Sequence, residues 1–455
     1  MASKSHDLTH GPLVQQIILF SLPLMATNVL QVLFNMSDVA VVGQFAGPEA
    51  LGSVGSTSIL VSLFTGFLIG LSGGINVLVA RFYGARHPND VHDTVHSALI
   101  VSLIAGVVLL AIGLLGSPFM LRLLNTKDDL LPGAILYLRV YFLGMPALAL
   151  YNFGNAVFSA IGDTKKPLMY LSIAGALNIA LNLFFVIVLK MTVNGVAIAT
   201  VISNAVSSLL LLYRLTHTGT AIRVSAHALQ FDHASFCKIV QIGLPAGIQS
   251  AVFAFANIIV QAAINSLGTV VIAASSAAFN IEVIAYYTFN SFSQACTTFV
   301  GQNYGARQLD RCRKTFALCL LEDVLVTVTV MGVVLYFGHS LLALFNRDPE
   351  VIALGYTRLS IIFSGYLFSL LYELMSGYLR GFGISLAPAV LTTLGVCGIR
   401  IFWVQAVFPR HADFQTLMLV YPLSLFVTAV LILAALIVCR PTTRMKKQEK
   451  KEISA

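Results

Sequence analysis

Asn28-Val-Leu-Gln-Val-Leu-Phe-Asn-Met-Ser-Asp38 lies inside the first long apolar run of the chain, residues 17–42. Its polar residues recur at spacings of three, four and three, which places them on one face of an α-helix: Asn28, Gln31, Asn35 and Asp38. A carboxylate at membrane depth costs free energy unless it faces a bundle interior or a water-filled cavity. No Lys or Arg lies between Lys4 and Arg81 to pair with it. We therefore interpret Asp38 as a functional group.

Composition places the chain in a membrane. It has 455 residues, 57% hydrophobic and 10% charged, with a mean hydropathy of +0.87. That length accommodates about a dozen spans of ~20 residues. The net charge of +8 does not indicate a nucleic-acid ligand, because the basic residues lie in short loops and form no continuous face. Six cysteines without CxxC spacing, and a His92–His96 pair without a third ligand nearby, predict neither disulfides nor a metal site.

Twelve apolar runs can be counted, and they predict an all-α polytopic membrane protein. Their approximate limits are 17–42, 51–77, 95–116, 133–160, 168–189, 195–213, 240–264, 271–298, 316–338, 352–379, 387–407 and 417–439. Pro23, Pro146 and Gly365 interrupt three of them, and membrane helices tolerate such breaks where neighbours satisfy the freed backbone groups.

The basic residues also predict the orientation. With the N-terminus placed inside, 19 Lys and Arg residues fall in inside segments and five in outside segments. The positive-inside rule then predicts that both termini are cytoplasmic. No small-residue cleavage site follows the first run, so we expect it to be retained as a span. The basic tail, residues 440–455, is interpreted as an orientation signal lying against anionic lipid.

The chain repeats itself. Leu22-Pro23 recurs as Leu244-Pro245 at an offset of 222 residues, and Tyr83-Gly-Ala-Arg86 recurs as Tyr304-Gly-Ala-Arg307 at an offset of 221. Each half holds six runs, an even number, so both halves enter the membrane in the same direction. They are expected to be related by a pseudo-twofold axis along the membrane normal, with a substrate site near mid-depth. The predicted parts are an N-terminal six-helix lobe (1–213), a cytoplasmic linker (214–238) and a C-terminal six-helix lobe (239–439).

With these features the sequence resembles the multidrug and toxic compound extrusion (MATE) transporters of prokaryotic type. The resemblance covers nearly the whole chain. Besides Asp38 and the duplicated plan, it is carried by Gly301-Gln-Asn-Tyr-Gly-Ala306 after the eighth run and Gly162-Asp-Thr-Lys-Lys-Pro167 after the fourth. It implies two pseudo-symmetric six-helix bundles that export drug-like or toxic organic compounds, often cationic, in exchange for protons or sodium by alternating access.

The resemblance also implies a multi-pass protein of the cell inner (plasma) membrane that is not an enzyme. It needs no cofactor apart from the coupling ion and binds no nucleic acid. We expect it to work as a monomer among membrane lipids.

Site residues are implied by matching this chain to the family position by position. Asp38 matches the acidic cation or proton site of the N-terminal lobe. One prokaryotic branch adds Asn-x-x-x-Asp in the fifth span and Thr in the sixth; here Asn178-Ile-Ala-Leu-Asn182 replaces the Asp by Asn, and Thr200 stands where the Thr would fall. The implied coupling site, for a proton or for sodium, is Asp38, Asn178, Asn182 and Thr200. An interhelical hydrogen bond is the alternative role for Asn178 and Asn182.

Further polar residues are expected to line the substrate cavity: Gln31, Asn35, Asn152, Asn155 and Glu282. Glu282 shares a helix face with Tyr286 and Asn290, and it is left open as a second coupling group, a substrate contact or an ion pair. A structural pair is favoured for Glu373. Arg400 is the expected partner of either acid. The two Tyr-Gly-Ala-Arg loops are interpreted as tight turns, and Asp163 as a helix cap.

Other classes of function fit less well. A flippase-type exporter of a lipid-linked or polar metabolite would share the fold, but such cavities often carry several cationic residues, which the N-terminal lobe lacks. A channel would require a ring of like residues or a re-entrant filter, and neither is visible. No metalloenzyme or nucleotide-binding motif is present, which argues against an enzyme and against direct use of ATP.

Overall fold

The computed structural model describes residues 7–124 and 126–443, and within these ranges the regular elements are all helices. The longer helices are α1 (Leu13–Val41), α2 (Pro48–Gly84), α3 (Pro88–Leu123), α4 (Leu131–Leu143), α5 (Met145–Ala160), α6 (Lys165–Leu183), α7 (Val193–Thr216), α8 (His233–Asn265), α9 (Thr269–Gly305), α10 (Leu309–Ala343), α11 (Pro349–Ser364) and α12 (Tyr366–Gly381). They are followed by α13 (Leu386–Thr392), α14 (Ile399–Phe402), α15 (Phe414–Met418) and α16 (Val420–Cys439). A short π-helical segment extends α1 at Val42–Ala46, and another extends α6 at Phe184–Val188. Two more flank α14, at Thr393–Gly398 and Trp403–Val407.

These helices supply the predicted number of spans. Ten segments of the described chain are long and apolar enough to cross a membrane singly, and two bent pairs bring the number to twelve. The bends are 47° between α4 and α5 and 44° between α11 and α12. They occur next to Pro146 and at Gly365, as the sequence predicts, whereas α1 runs through Pro23 without a break. The all-α polytopic fold class is confirmed.

The backbone repeats at the register that the sequence predicts. Six of the described residues with a positive φ form pairs that are 221 positions apart: Gly47 and Gly268, Arg86 and Arg307, Gly162 and Gly383. At Arg86 and Arg307 the turns also share their hydrogen bonds, because the backbone N–H of each Arg donates to the carbonyl of the Tyr three residues before it. Such bonds close the C-terminus of a helix. The Tyr-Gly-Ala-Arg loops are therefore helix-ending turns, as interpreted.

Contacts divide the chain into two compact units. Unit 1 contains Asp7 and Ala26–Gly247, and its core is formed by side chains such as Ile75, Phe153 and Leu211. Unit 2 contains Leu8–Met25 and, within the described chain, residues 248–443. Side chains such as Phe289 and Phe363 form its core.

The two units do not end where the predicted lobes end. The beginning of α1 belongs to unit 2, because Ile17 and Phe20 are buried in one cluster with Phe299 of α9. The beginning of α8 belongs to unit 1, since Ile239 is buried in the core of that unit. The hydropathy pattern places the boundary between the lobes in a loop. In the structure, packing places the boundaries between the two units inside α1 and α8.

A polar clamp holds the start of the chain within unit 2. The backbone N–H of Leu8 donates to Gln302 Oε1 at 3.2 Å, and Asn303 Nδ2 donates to the Leu8 carbonyl at 3.3 Å. Arg311 reaches the same carbonyl and also Gln16 Oε1, at 3.3 Å and 3.1 Å. The Gln-Asn pair of the motif after the eighth span thus fixes the backbone that leads into α1.

The predicted linker lies against unit 1. Ile222 and Val224 are buried in its core, and the backbone N–H of Ser225 donates to His96 Nε2 at 3.1 Å. Asp232 immediately precedes α8 and accepts hydrogen bonds from Ser235, which hold the pKa of the Asp232 carboxyl below its usual value. The segment is therefore a packed connection between α7 and α8.

The α2–α8 crossing in unit 1 depends on glycine. A Cβ added at Gly74 would lie 2.5 Å from the Ile239 carbonyl oxygen and 2.7 Å from the Gly243 nitrogen, both backbone atoms. At Gly73, one residue earlier, a Cβ would meet nothing within 4 Å. Small residues that let backbones approach are typical of helix contacts in membranes.

We expect Gly74→Ala to destabilise the protein by about 1–3 kcal/mol, because α2 and α8 must move apart to admit the methyl group. Gly73→Ala is the matched control and should leave stability within about 0.5 kcal/mol of wild type. Thermal unfolding of the two purified variants in the same detergent measures the difference. Equal melting temperatures for the two would contradict the close crossing.

Candidate functional site

The carboxylate of Asp38 lies where three helices of unit 1 meet. Its Oδ1 accepts a hydrogen bond from Asn182 Nδ2 of α6 at 2.5 Å, and its Oδ2 accepts one from Thr200 Oγ1 of α7 at 3.1 Å. Asn182 Nδ2 also donates to Asn178 Oδ1 at 3.2 Å, and Asn178 Nδ2 lies 3.4 Å from Thr200 Oγ1. The structure therefore brings together all four residues of the implied coupling site. We refer to them as the Asp38 cluster.

The Asp38 side chain has no basic partner. Asp38 is only 6% exposed, and within residues 7–124 and 126–443 it forms no ion pair. The phenol groups of Tyr137 and Tyr141 lie within electrostatic range of it. These two tyrosines are one helical turn apart on α4, with ring centroids separated by 6.1 Å. Neither tyrosine was predicted from the sequence, although their spacing of four places them on one helix face.

Thr200 has two alternative acceptors. Its hydroxyl lies 3.1 Å from Asp38 Oδ2 and 3.0 Å from the carbonyl oxygen of Val196, one turn earlier on α7. A hydroxyl carries one hydrogen, so it donates to one of these oxygens at a time, and only Asp38 Oδ2, when it is protonated, can donate to the lone pairs of the hydroxyl in return. Asn182 Oδ1 is a further acceptor, and it has no hydrogen-bond partner in the described part of the chain.

The polar residues predicted for the substrate cavity do not join the Asp38 cluster. Gln31 is half-buried and Asn35 is exposed, both on the helix that carries Asp38. Asn152 is buried and donates to the carbonyl of Leu148 on its own helix at 2.9 Å. Asn155 Oδ1 is buried and has no partner among the described residues. A cavity role for these residues stays a prediction.

The structure corrects the prediction for Arg400. Glu282 pairs with Arg358, whose Nε and Nη2 donate to the two carboxylate oxygens at 2.7 Å and 2.9 Å. Arg400 instead donates to Asn257 Oδ1 at 2.9 Å and lies over the ring of Tyr421. Both oxygens of Glu282 are held by an arginine that is 3% exposed, so this acid has no free charge for a cationic substrate. Glu282 is therefore one member of a buried ion pair in unit 2, and its place in the substrate cavity stays a prediction.

Further acids of unit 2 were missed or misassigned. Glu373 accepts a hydrogen bond from Tyr286 at 3.1 Å and forms no ion pair with Arg400. Glu322 and Asp323 of α10 are buried, and neither was predicted from the sequence, where they lie inside an otherwise apolar run. Two adjacent acids within a span were the available signal.

The structure offers no metal site at His92 and His96. Their rings stack at 4.1 Å, but His96 Nδ1 bonds the His92 carbonyl and His96 Nε2 accepts from Ser225. Both ring nitrogens of His96 are thus occupied. The described residues also contain no cluster of three or more His, Cys, Asp or Glu suited to a metal ion.

The described residues provide up to twelve membrane spans, a backbone that repeats between the two halves, and a buried Asp38 that has no ion pair among them. These features are typical of an integral membrane transporter. The MatE family model matches residues 23–184 and again 245–404, once in each half. The chain belongs to the MATE family of multidrug efflux transporters, which are not enzymes. The resemblance drawn from the sequence is confirmed.

Known transporters are similar to this protein along most of its chain. The probable multidrug resistance protein YpnP of Bacillus subtilis is 27% identical over 402 residues, 88% of each chain. The probable multidrug resistance protein NorM of Thermotoga maritima is 26% identical over 85% of this chain and 84% of its own. A crystal structure of MATE in complex with MaL6 shows the same fold, with a TM-score of 0.89 at 21% identity over 97% of this chain and 100% of that one.

Proposed function

We propose that this transporter exports lipophilic organic compounds, many of them cationic, in exchange for protons that bind at Asp38. The family supports the export of small organic compounds, and the coupling ion is inferred from the site. Alternating access belongs to the same proposal, with the predicted lobes, residues 1–213 and 239–439, opening to the two sides in turn.

The two acceptors of Thr200 carry this proposal. When Asp38 is ionised, the Thr200 hydroxyl donates to Oδ2. When a proton binds at Oδ2, Asp38 can donate to Thr200 Oγ1, and Thr200 can donate to the Val196 carbonyl. Both protonation states are then fully hydrogen-bonded without movement of the helices. A buried group that is satisfied in both states can take up and release a proton without leaving a polar atom unpaired.

The same geometry fits sodium less well. Sodium requires several oxygen ligands, but an N–H donor already points at Asp38 Oδ1, and Asn178 Oδ1 is engaged by Asn182. Of the two amides in the Asp38 cluster, only Asn182 has a side-chain oxygen without a hydrogen-bond partner among the described residues. A second carboxylate, which the Asn at position 182 does not provide, would favour a metal cation.

Efflux from proteoliposomes under separately imposed gradients tests the proposal. With tetraphenylphosphonium as the probe, a proton gradient should drive transport and a sodium gradient at equal pH should not. Transport driven by sodium alone would contradict proton coupling. A Thr200→Val variant should lose proton-driven transport, whereas Thr200→Ser, which keeps the hydroxyl, should retain it.

Location and orientation are part of the proposal. We place the protein in the cell inner membrane as a monomer with both termini in the cytoplasm. The 19 to five distribution of basic residues supports this orientation of the termini. Cys237 is an exposed native thiol at the start of α8 and should react with an impermeant thiol reagent only from the cytoplasmic side.

Thr126→Cys, made in a variant that lacks Cys237 and Cys439, should show the opposite result. Thr126 follows α3, at a predicted external loop. Labelling in right-side-out and inverted vesicles decides the topology. Reaction of Thr126→Cys from the cytoplasmic side only would contradict it.

A further inference from the structure

Unit 2 contains a buried arginine without an acidic partner. Arg400 of α14 is only 3% exposed, and within the described part of the chain it forms no ion pair. The acids expected to pair with it are engaged elsewhere. Glu282 is bound by Arg358, and Glu373 accepts a hydrogen bond from Tyr286. A guanidinium group stays protonated in proteins, so Arg400 leaves an uncompensated positive charge inside unit 2.

This charge lies too deep in its span to reach the membrane surface. Arg400 follows Leu386 by 14 residues and precedes Arg410 by ten, and these two residues are the ends of its span. Ten residues correspond to about 15 Å of helix, which is more than an arginine side chain can extend. A charged side chain at such depth faces the bundle interior or a water-filled cavity, and a partner of opposite charge is expected for it.

The guanidinium group of Arg400 is held in place, and it keeps donors for a further acceptor. Its Nη1 donates to Asn257 Oδ1 of α8 at 2.9 Å, and its Nε lies 3.5 Å from Ser424 Oγ of α16. Its Cζ lies 4.5 Å from the ring centre of Tyr421 and 5.3 Å from that of Phe253. The two hydrogen bonds use two of the five N–H donors of a guanidinium group. One hydrogen on Nη1 and both hydrogens on Nη2 can therefore bind an acceptor.

Asn257 connects the buried Arg400 with the surface of unit 2. It is exposed on α8, eight residues before that helix ends at Asn265. An exposed amide within a span is unfavourable against lipid, so its exposure indicates contact with water. Because a guanidinium group only donates, the amide presents Oδ1 to Arg400, and its Nδ2 points away. An acceptor that approaches Arg400 along Asn257 meets N–H donors from both side chains.

The spans that carry this arginine repeat the spans that carry the Asp38 cluster. At the repeat offset of 221, Tyr421 corresponds to Thr200, and Arg400 corresponds to the residue after Asn178. The fifth and sixth spans bring these groups together in each half: Asn178 Nδ2 lies 3.4 Å from Thr200 Oγ1, and Arg400 stacks on Tyr421. Unit 1 thus has a carboxylate at this place, and unit 2 has a guanidinium group.

The two places also share a backbone feature. One π-helical segment begins four residues after Asp38, and another begins two residues after Asn182. Arg400 lies between two further π-helical segments, two residues after Gly398 and three before Trp403. Segments of this kind are rare and occur frequently at functional sites. The backbone around Arg400 is therefore typical of a functional site, although the proposed proton coupling does not use this residue.

We propose that Arg400 and Asn257 bind a carboxylate group of an exported compound. A singly charged carboxylate neutralises the single cation, whereas a doubly charged phosphate would leave a negative charge in excess. Nη1 and Nη2 of Arg400 can donate in parallel to the two carboxylate oxygens, which is the pairing that guanidinium groups favour. The assignment rests on the proposed export of lipophilic organic compounds, and it adds compounds that carry a carboxylate to the cationic ones.

Two dyes that differ at one group test the site. Rhodamine 110 carries a carboxylate, and rhodamine 123 is its methyl ester. Their binding to the purified protein in detergent is measured by fluorescence anisotropy. Asn257→Asp places a carboxylate beside Arg400 and should occupy it, so the Kd of rhodamine 110 should rise by about tenfold or more. The Kd of rhodamine 123 should stay unchanged. Asn265→Asp, at the exposed end of the same helix, is the matched control and should change neither Kd.

Variants of the arginine separate binding from a structural role. Arg400→Gln should also raise the Kd of rhodamine 110 by about tenfold or more and leave that of rhodamine 123 unchanged. Its melting temperature should not fall, because the substitution removes a buried charge that has no partner. Arg400→Lys keeps the charge but lacks the planar fork, so it should retain part of the affinity for rhodamine 110.

Three results would overturn the carboxylate site: equal changes for both dyes, unchanged binding of rhodamine 110 in both Asn257→Asp and Arg400→Gln, or no binding of rhodamine 110 by the wild type. Proton-driven efflux of tetraphenylphosphonium reports separately on the proposed function, and both variants should retain it because this probe has no carboxylate. If the wild type exports no tetraphenylphosphonium, the proposed function fails. The dyes still test Arg400 in that case, since their binding needs no gradient.

Discussion

Asp38→Asn is expected to abolish proton-driven export while the protein still folds and inserts. The amide cannot bind and release a proton, so transport loses the roughly 1.4 kcal/mol that each pH unit supplies per proton. It also loses the roughly 2.3 kcal/mol that ~100 mV supplies per charge. An amide is cheaper to bury than a carboxylate, and it can still bond Asn182 and Thr200. Uphill export should therefore fall at least tenfold at a pH difference of about one unit.

The measurement separates coupling from folding. Gradient-driven efflux is compared with downhill exchange of tetraphenylphosphonium in the same proteoliposomes. We expect Asp38→Asn to lose gradient-driven efflux and to retain the melting temperature of wild type in detergent. Asp93→Asn, which changes an exposed acid of α3, is the matched control. Loss of the folded protein in Asp38→Asn would assign the residue to the framework.

Arg358→Gln is expected to cause the largest loss of stability, about 3–5 kcal/mol. The substitution leaves the Glu282 carboxylate buried without its bidentate partner. The double variant Glu282→Gln/Arg358→Gln removes both charges, and it should recover much of this loss because no uncompensated charge stays in the interior. Thermal unfolding of the three proteins in detergent measures the effect. If Arg358→Gln alone were as stable as wild type, the result would contradict a stabilising ion pair between Glu282 and Arg358.

The spans and their duplication could be predicted because they depend on local properties. Hydropathy needs no knowledge of packing, so the twelve runs agree with the helices and bent pairs of the structure. The bends at Pro146 and Gly365 follow from the backbone chemistry of those residues. Pro23 carries the same signal, yet α1 continues through it. A Pro or Gly within an apolar run thus marks a position where a bend is tolerated, but it does not determine whether the helix bends there.

The Asp38 cluster was only partly accessible to reasoning from the residues. The spacing of three and four places Asp38 on a polar face, but it does not say which helices face it. Asn178, Asn182 and Thr200 came from the family resemblance, and the structure brings them to Asp38. Tyr137 and Tyr141 lie on a helix whose rotation the sequence does not determine.

Partners in unit 2 could not be predicted for the same reason. Arg358 and Arg400 both lie within apolar runs, and composition alone cannot decide which one reaches Glu282. The answer depends on how α11 is rotated against α9, where Arg358 meets the carboxylate in a bidentate geometry. The exchange of helix ends between the units, at Ile17 and at Ile239, is likewise a result of packing.

Proton-driven efflux by the exchange variant Asp38→Asn/Asn182→Asp, measured beside Asp38→Asn, tests the central claim most directly. Asp38 and Asn182 are joined by a hydrogen bond of 2.5 Å, so the exchange keeps one carboxyl group at the site and moves it only from α1 to α6. We predict that Asp38→Asn shows no proton-driven efflux and that the exchange variant regains a measurable part of it. Full proton-driven efflux by Asp38→Asn alone would contradict the account and remove Asp38 from the coupling mechanism.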